Sequence, residues 1–317
     1  MISQTDIQGV QDFIYYREVK QQINDYLTGK ADLIKAETTE WPPYDEHFKW
    51  LRTELTGFGG IPNHGKSKFV IFLTALKMLK ANWKVAVYAP ETTPPIFFYA
   101  NYLHTFTGKS LFGDHKPTPK DIAPYEPLLQ NNLYLCEPEK LPTFAGIIER
   151  FERAFEYHGS DMFVIDPFNC LEREWETSKR DDRYVGDFLE HYKDFVKRTN
   201  TVGIVVMHPN SGMRLGKNDL NYECPNMYNL AGGAMWGNKL DNLVFVHRPY
   251  FISNFKNSAV LIRHSKIKKR EIVGSGGDVE INFGFRQNRY VMHGQDGMGG
   301  VYDDMPEIER TDNDLPF

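Results

Sequence analysis

The stretch GIPNHGKS, from Gly60 to Ser67, has the spacing G-x-x-x-x-G-K-S of a phosphate-binding loop. Such a glycine-rich turn between a strand and a helix presents backbone N–H groups at the helix N-terminus, where geometry and the helix dipole favour a phosphate. Lys66 would reach the β- and γ-phosphates, and the Ser67 hydroxyl would join the shell of a magnesium ion. The pattern therefore predicts a site for ATP and Mg²⁺. The expected contact residues are Gly60, Pro62, Asn63, His64, Gly65, Lys66, Ser67 and Lys68.

An apolar run, MFVI, is followed directly by Asp166. A carboxylate at this position holds the magnesium ion in phosphate-loop ATPases; alternatively, Asp166 only caps the turn that follows. Many such enzymes place a water-activating glutamate directly after this aspartate, but here Pro167 follows. The general base must therefore come from another part of the chain.

Glu91 and His208 each follow a further apolar run, in KVAVYAPE and GIVVMHPN. The ends of parallel strands gather at one edge of a sheet, where ligands bind. Glu91 could there orient and deprotonate the attacking water, and His208 could sense the γ-phosphate. The alternatives are a surface carboxylate before a proline-rich turn and a structural histidine.

From Leu51 onward, short apolar runs of strand length alternate with helical stretches. This alternation predicts an α/β fold with a mostly parallel sheet covered by helices on both faces. The predicted strands lie in LTGFGG, KVAVYAPE, NLYLCEP, DMFVIDPFN, TVGIVVMHPN, KLDNLVFVHRP and SAVLIRHSKIKK. The predicted helices lie in SKFVIFLTALKMLKA, TFAGIIERFERAFEYHG and DFLEHYKDFVKRTN.

The composition is that of a globular protein: 41% of the 317 residues are hydrophobic, 25% are charged, and the net charge is −5. A protein that coats duplex DNA through a basic face is usually more basic, so nucleic-acid contacts are expected from local loops or a pore. Cys136, Cys170 and Cys224 are isolated, which favours a reducing compartment. No apolar run of about 18 residues is present. We expect a protein without a membrane contact, in the cytoplasm of a bacterial or phage-infected cell.

The order of GIPNHGKS, VYAPE, FVIDPFN, VVMHPN, LAGGAMWGNKLDNLVFV and HSKIKKR resembles the RecA-like motor domain of hexameric replicative DNA helicases. The resemblance is greatest to the Twinkle and phage primase-helicase group, with DnaB more distant, and it runs from about Leu51 to Tyr290. It implies a ring, expected to be a hexamer, that moves on single-stranded DNA and hydrolyses ATP between subunits. The expected domains are a linker (1–45), the motor (46–295) and an acidic tail (296–317).

The resemblance also assigns roles to single residues. Asp166 matches the second magnesium carboxylate, Glu91 the catalytic glutamate and His208 the γ-phosphate sensor. Asn238 stands where the family often has a glutamine near the nucleotide.

A basic pair near the last strands reaches the γ-phosphate of the neighbouring subunit in this family. Within HSKIKKREIVG the pair is either Lys268 with Arg270 or Lys266 with Lys268. Alternatively, these residues form a solvated basic strand end. A cation supplied in trans makes hydrolysis sensitive to the neighbour.

Two polar segments, 171–186 and 211–233, match the family's DNA-binding loops in the central channel. Both are long for a compact domain, as functional loops tend to be. The expected strand contacts are Arg214, Lys217 and Asn218, followed by Lys179 and Arg180. The alternative is that these are surface loops without a DNA contact.

The two ends of the chain leave further alternatives open. Residues 1–28 have a helical apolar pattern, which predicts either an N-terminal extension or a helix that docks on a neighbouring subunit. The tail, DNDLPF, either binds a polymerase or another replication protein or is a solubilising end. No primase-like segment precedes the motor, so we expect either a helicase alone or part of a longer chain that carries a primase.

Two other functions fit the same motifs. A recombinase or clock-type ATPase would assemble on DNA or protein without unwinding. A nucleotide-switched binding protein would hydrolyse ATP slowly, and Glu91 argues against it because a switch has less need of an activated water.

Overall fold

The computed structural model describes residues 14–31, 34–172, 181–210 and 221–300. The chain divides into two compact units, the first ending at Ala36 and the second starting at Glu37. In the first unit, helix α1 spans Tyr16–Leu27 and buries none of its residues. Within the described ranges, no helix has both the length and the apolar character needed to cross a membrane.

In the described part of the second unit, nine strands form one sheet in the order β3-β2-β4-β5-β1-β6-β7-β8-β9. The first six strands of this order are parallel, and β7, β8 and β9 continue the sheet in antiparallel pairing. The strands are β1 Leu55–Gly59, β2 Val85–Tyr88, β3 Leu133–Cys136, β4 Met162–Ile165, β5 Val202–Met207, β6 Asn242–His247, β7 Ala259–Ile267, β8 Gly277–Gly284 and β9 Arg289–Val291.

The central strands β1, β2, β4, β5 and β6 are buried at every position, which explains their continuous apolar runs. By contrast, β8 alternates exposed and buried residues along most of its length, as expected of an antiparallel strand with one solvated face. The predicted mostly parallel α/β fold is confirmed.

Helices cover both faces of the sheet. Successive side chains of a strand point to opposite faces, and β1 shows this directly. Leu55 belongs to the core cluster formed with α6, α7 and α8, whereas Phe58 packs against Phe69 of α2, with ring centroids 5.9 Å apart. The helices are α2 Lys66–Ala81, α3 Pro95–Thr107, α4 Pro119–Ile122, α5 Glu126–Asn132, α6 Phe144–His158, α7 Asp181–Thr199, α8 Ala234–Lys239 and α9 Arg270–Val273.

The second unit extends beyond the expected bounds of 46–295. Trp41 and Tyr44, placed in the linker by the sequence, are fully buried. The Trp41 indole N–H donates to the carbonyl of Gln295 (3.0 Å), and the Tyr44 hydroxyl bonds His264 (2.8 Å). At the other end, Asp296 is buried and pairs with Arg289 (2.9 Å), so the first residues of the predicted tail also belong to the second unit. The contacts of Trp41 and Tyr44 join distant parts of the chain and therefore leave no local sequence pattern.

Candidate functional site

The phosphate-binding loop connects β1 to α2, as its motif predicts. Its two motif glycines, Gly60 and Gly65, have φ values of +154° and +95°. A Cβ at Gly60 would lie 2.4 Å from the carbonyl oxygen of Val246, and one at Gly65 would lie 2.7 Å from the hydroxyl of Tyr290. That hydroxyl donates to the Gly65 carbonyl (2.9 Å). Backbone conformation and close packing therefore both require glycine at these positions.

The predicted site residues gather at the edge where the parallel strands end, which we call the carboxyl edge. Ser67 is the second residue of α2, which follows β1. Glu91 follows β2, Asp166 follows β4 and His208 follows β5. The Ser67 hydroxyl donates to a carboxylate oxygen of Asp166 (3.0 Å). The sheet order places β1, β5, β4 and β2 next to one another, which brings these residues together.

The electrostatics of this edge are strongly perturbed. Burial lowers the pKa of Lys66 to about 8, although Asp166 and Glu91 favour its charged form. Burial raises the pKa of Asp166 to about 6, opposed by the Ser67 hydrogen bond and by Lys66. Burial, with Lys66 nearby, lowers the pKa of His208 to about 4, so its imidazole is neutral at pH 7. Perturbed groups that converge at a strand edge are typical of functional sites.

A cysteine that sequence reasoning did not single out contacts the candidate base. The Cys170 thiol donates to a carboxylate oxygen of Glu91 (3.5 Å), and the Cys170 carbonyl accepts from the Tyr88 hydroxyl (3.1 Å). Burial and the charge of Glu91 raise the pKa of this thiol to about 11, so it keeps its proton at neutral pH. Its position in the turn directly after Asp166 was the signal in the sequence that could have identified Cys170.

Two of the predicted contact residues, His64 and Lys68, bond within the protein through their side chains. His64 is buried, and its Nδ1 accepts from the backbone N–H of Arg248 (3.0 Å). Lys68 donates to the side-chain carbonyl of Asn288 (2.9 Å). Both side chains are therefore bonded within the protein. Pro62 and Asn63, by contrast, are exposed on the loop.

The residues present fit a magnesium ion bound together with a triphosphate. A serine hydroxyl and a carboxylate 3.0 Å apart are the protein ligands that such an ion takes in phosphate-loop sites. Within the described ranges, no three acidic, histidine or cysteine side chains form a metal cluster. The remaining ligands would therefore be phosphate oxygens and water, as is usual for Mg²⁺.

The chain is similar in sequence to one curated protein and in fold to solved structures. No family model matches the chain. Over 226 residues, 67% of the chain, it is 26% identical to a Twinkle homolog protein of Arabidopsis thaliana that is described as chloroplastic/mitochondrial. The chain spans only 30% of the length of that relative.

Two solved structures share the fold. One, described as an ATPase domain, matches with a TM-score of 0.72 and 13% identity, covering 88% of this chain and 99% of that domain. The other, a DnaB-like replicative helicase solved in a study of its interactions with primase, matches with a TM-score of 0.67 and 14% identity, covering 89% of this chain and 67% of that one. The chain therefore shares its fold with these two structures.

The predicted basic pair lies at the opposite edge, where the parallel strands begin; we call it the amino edge. Ile267 pairs with Asn242, which pairs with Thr56, three residues before the end of β1. At about 3.3 Å per residue, this separates Lys268 from the start of the phosphate loop by roughly 10 Å or more. Lys268 and Arg270 therefore cannot reach a nucleotide in their own subunit, and a catalytic role for them stays a prediction about a neighbouring subunit.

The candidate residues of the basic pair make different contacts at the amino edge. The Lys266 ammonium donates to the carbonyls of Gly237 (2.8 Å) and Leu240 (2.7 Å) at the end of α8. Lys268 pairs with Asp241 (3.0 Å) but remains half exposed, and Arg270 is exposed. Lys266 and Lys268 are thus both bonded within the chain, and the register of the basic pair stays a prediction.

The prediction that Asn238 lies near the nucleotide needs correction for a site within one subunit. Asn238 is exposed on α8, directly after Gly237, whose carbonyl accepts from Lys266. It therefore belongs to the amino edge of the motor domain and not to the phosphate loop.

The predicted DNA contacts Lys179, Arg180, Arg214, Lys217 and Asn218 lie outside the described residues, as do 1–13 and 301–317.

Proposed function

We propose that this motor domain is an ATP-dependent DNA helicase motor that moves along single-stranded DNA as a ring. The observation that carries this proposal is the convergence at the carboxyl edge of a phosphate-binding loop, a hydroxyl–carboxylate pair, a candidate base and a neutral histidine. The Twinkle homolog, which is similar over two thirds of the chain, supports DNA unwinding over the other uses of the fold.

Within this proposal, the phosphate loop and Lys66 hold the triphosphate, and Ser67 and Asp166 hold the magnesium ion. The ion would neutralise charge on the β- and γ-phosphates. Lys66 is cationic at pH 7 even after burial has lowered its pKa to about 8, so it can stabilise the charge that spreads over the phosphoryl oxygens.

Glu91 orients the attacking water and takes its proton. Its carboxylate is exposed to solvent and held on one side by the Cys170 thiol, which leaves its other oxygen for the water. His208, neutral at pH 7, can exchange a hydrogen bond with the γ-phosphate without adding a charge that would remain after hydrolysis.

The site is completed between subunits. Because Lys268 and Arg270 lie at the amino edge, they can assist hydrolysis only at the nucleotide of a neighbour, which requires an assembly such as a hexameric ring. Arg214, Lys217, Asn218, Lys179 and Arg180 would grip strand phosphates in its channel. A primase or polymerase, bound through the C-terminal residues, is the proposed further partner.

The direct test is displacement of a strand from a forked DNA duplex by the chain with ATP and Mg²⁺. We expect unwinding by the wild type and none by Lys66→Ala. Fast, DNA-stimulated hydrolysis without strand displacement would favour the recombinase or clock-type alternative. Slow hydrolysis that DNA does not change would favour the nucleotide switch.

The shared site has its own test, a complementation between two inactive variants. Lys66→Ala removes a subunit's own site but leaves its Arg270, whereas Arg270→Ala does the reverse. A mixture of the two should recover hydrolysis that neither variant shows alone, because some interfaces then combine an intact site with an intact arginine. If the mixture stays inactive while both variants still assemble, the shared site is wrong.

A further inference from the structure

The side chains of two buried histidines, His64 in the phosphate loop and His247 at the end of β6, have no part in the chemistry proposed above. His64 and His247 are 1% and 2% exposed, and their rings lie 5.1 Å apart at 29°. Burial lowers both pKa values, to about 3 and about 4, so both rings are neutral. His64 Nε2 and His247 Nδ1 have no hydrogen-bond partner among the described residues. Apolar residues of similar size would pack there without this cost, so the pair calls for an explanation other than packing.

His64 fastens the phosphate loop to the segment that follows β6. Its Nδ1 accepts from the backbone N–H of Arg248 (3.0 Å), and its ring packs against Phe251, with centroids 4.8 Å apart. Because these groups are close-packed, a shift of the loop on nucleotide binding or release must displace residues 247–251 as well.

The same segment holds Asn221 and Tyr222 on its other side. Against the effect of burial, the backbone of Tyr222 keeps the pKa of His247 from falling further. The Asn221 side-chain oxygen accepts from the backbone N–H groups of Ile252 (3.1 Å) and Ser253 (3.1 Å), and its amide donates to the Ser253 hydroxyl (2.9 Å). The side chain of Asn221 thus fixes this short stretch to the segment that follows His247.

We infer that His64 and His247 form a positioning link between the phosphate loop and residues 221–222, through which a bound strand sets the rate of hydrolysis. Residues 221–222 lie within 211–233, directly after the proposed strand contacts Arg214, Lys217 and Asn218. The inference rests on the proposed function, since it requires DNA to stimulate hydrolysis. The link is a positioning device, because neither histidine touches the reacting phosphate in the arrangement proposed here.

The test measures three quantities for each variant: hydrolysis without DNA, hydrolysis with saturating single-stranded oligonucleotide, and oligonucleotide affinity. Asn221→Ala removes the side-chain bonds to residues 252 and 253. His247→Phe keeps an aromatic ring against His64 but removes the two imidazole nitrogens. The matched control is Asn254→Ala, an exposed asparagine of the same segment whose side chain bonds only Lys256 in the described structure.

We expect Asn221→Ala and His247→Phe to lower the stimulation by DNA at least about threefold, the scale of coupling changes made away from a ligand. Hydrolysis without DNA and oligonucleotide affinity should stay within about twofold of the wild type, and Asn254→Ala should match the wild type throughout. Asn221 is near the surface, so its variant keeps the inference testable if His247→Phe does not fold.

Three results would overturn the link. Unchanged stimulation in Asn221→Ala would show that these contacts transmit nothing. An equal fall in hydrolysis with and without DNA would show that they only support the nucleotide site. A loss of oligonucleotide affinity equal to the loss of stimulation would make residues 221–222 part of the strand-binding surface. If the wild type itself shows no stimulation by DNA, the proposed function fails first.

Discussion

The two edges of the sheet hold a buried or half-buried aspartate in opposite electrostatic states. At the amino edge, Asp241 pairs with Lys193 (2.6 Å) and Lys268 (3.0 Å), and the backbone N–H of Leu55 donates to it (3.2 Å). These partners outweigh burial and lower the pKa of Asp241. At the carboxyl edge, Asp166 has a hydroxyl and a nearby lysine, and burial raises its pKa to about 6.

The fold compensates the charge of Asp241 but leaves the charge of Asp166 unfavourable. Asp241 is neutralised within the chain and can serve stability, whereas Asp166 is left short of positive charge, as a group that binds a cation must be. Functional sites often retain such costs and the rest of the structure compensates for them. Matched substitutions at the two edges test this difference.

The largest effect is expected at Lys66, compared with Lys68 two residues along the same helix. Lys66→Ala should lower hydrolysis at least about a hundredfold, because it removes the cation at the phosphates. Lys68→Ala should leave hydrolysis near that of the wild type and cost about 1 kcal/mol of unfolding free energy, since Lys68 bonds Asn288. Steady-state hydrolysis and chemical denaturation measure the two effects. Equal losses of activity would contradict the division of roles within the loop.

The second prediction applies one substitution, Asp→Asn, at both edges. Asp241→Asn should lower the free energy of unfolding by about 3 kcal/mol, because it breaks a buried charge network. Asp166→Asn should raise it by about 2 kcal/mol at pH 7 without Mg²⁺, because the raised pKa makes the ionised carboxylate costly in the folded state. Urea denaturation measures both changes.

The pH dependence has opposite signs for the two aspartates. Stability from Asp241, whose folded pKa is lowered, is present above the ordinary value of 3.8 and is lost as the pH falls through the folded value. For Asp166, the folded state is favoured at acidic pH, and that advantage is lost as the pH rises from about 4 through about 6. If both variants change stability in the same direction at pH 7, the contrast between the edges is wrong.

The smallest effect concerns Cys170, which donates to Glu91 at the carboxyl edge. Cys170→Ala should lower kcat a few fold, about the value of one modest hydrogen bond, with ATP affinity unchanged. Cys170→Ser restores a donor and should recover most of the loss, which a purely packing role would not produce. Parallel titrations of ATP binding and hydrolysis measure this split, and equal activity of the alanine and serine variants would contradict it.

The sequence predicts the carboxyl edge well, because each of its residues follows a short apolar run and parallel strands end on one side. Lys66, Ser67, Asp166, Glu91 and His208 therefore meet where the pattern places them. The antiparallel strands β8 and β9 and the helix α3 were not singled out, although the alternation in DVEINF was available as a signal for β8.

Contacts between distant residues were not predictable from local pattern. The thiol of Cys170 meets Glu91 across 79 positions of the chain, and His64 meets Arg248 across 184. The pairing of Lys268 with Asp241 and the burial of Trp41 depend in the same way on how the sheet and its helices pack. Periodicity and motif spacing carry no information about such pairs.

The central claim is that Glu91 activates water in a motor that DNA stimulates. The most direct measurement is ATP hydrolysis with and without single-stranded DNA, wild type beside Glu91→Gln, together with ATP binding. We expect DNA to stimulate ATP hydrolysis by the wild type strongly. In Glu91→Gln, hydrolysis should fall about a hundredfold or more while ATP binding is retained. Slow hydrolysis that ignores DNA, or a Glu91→Gln variant as active as the wild type, would contradict it.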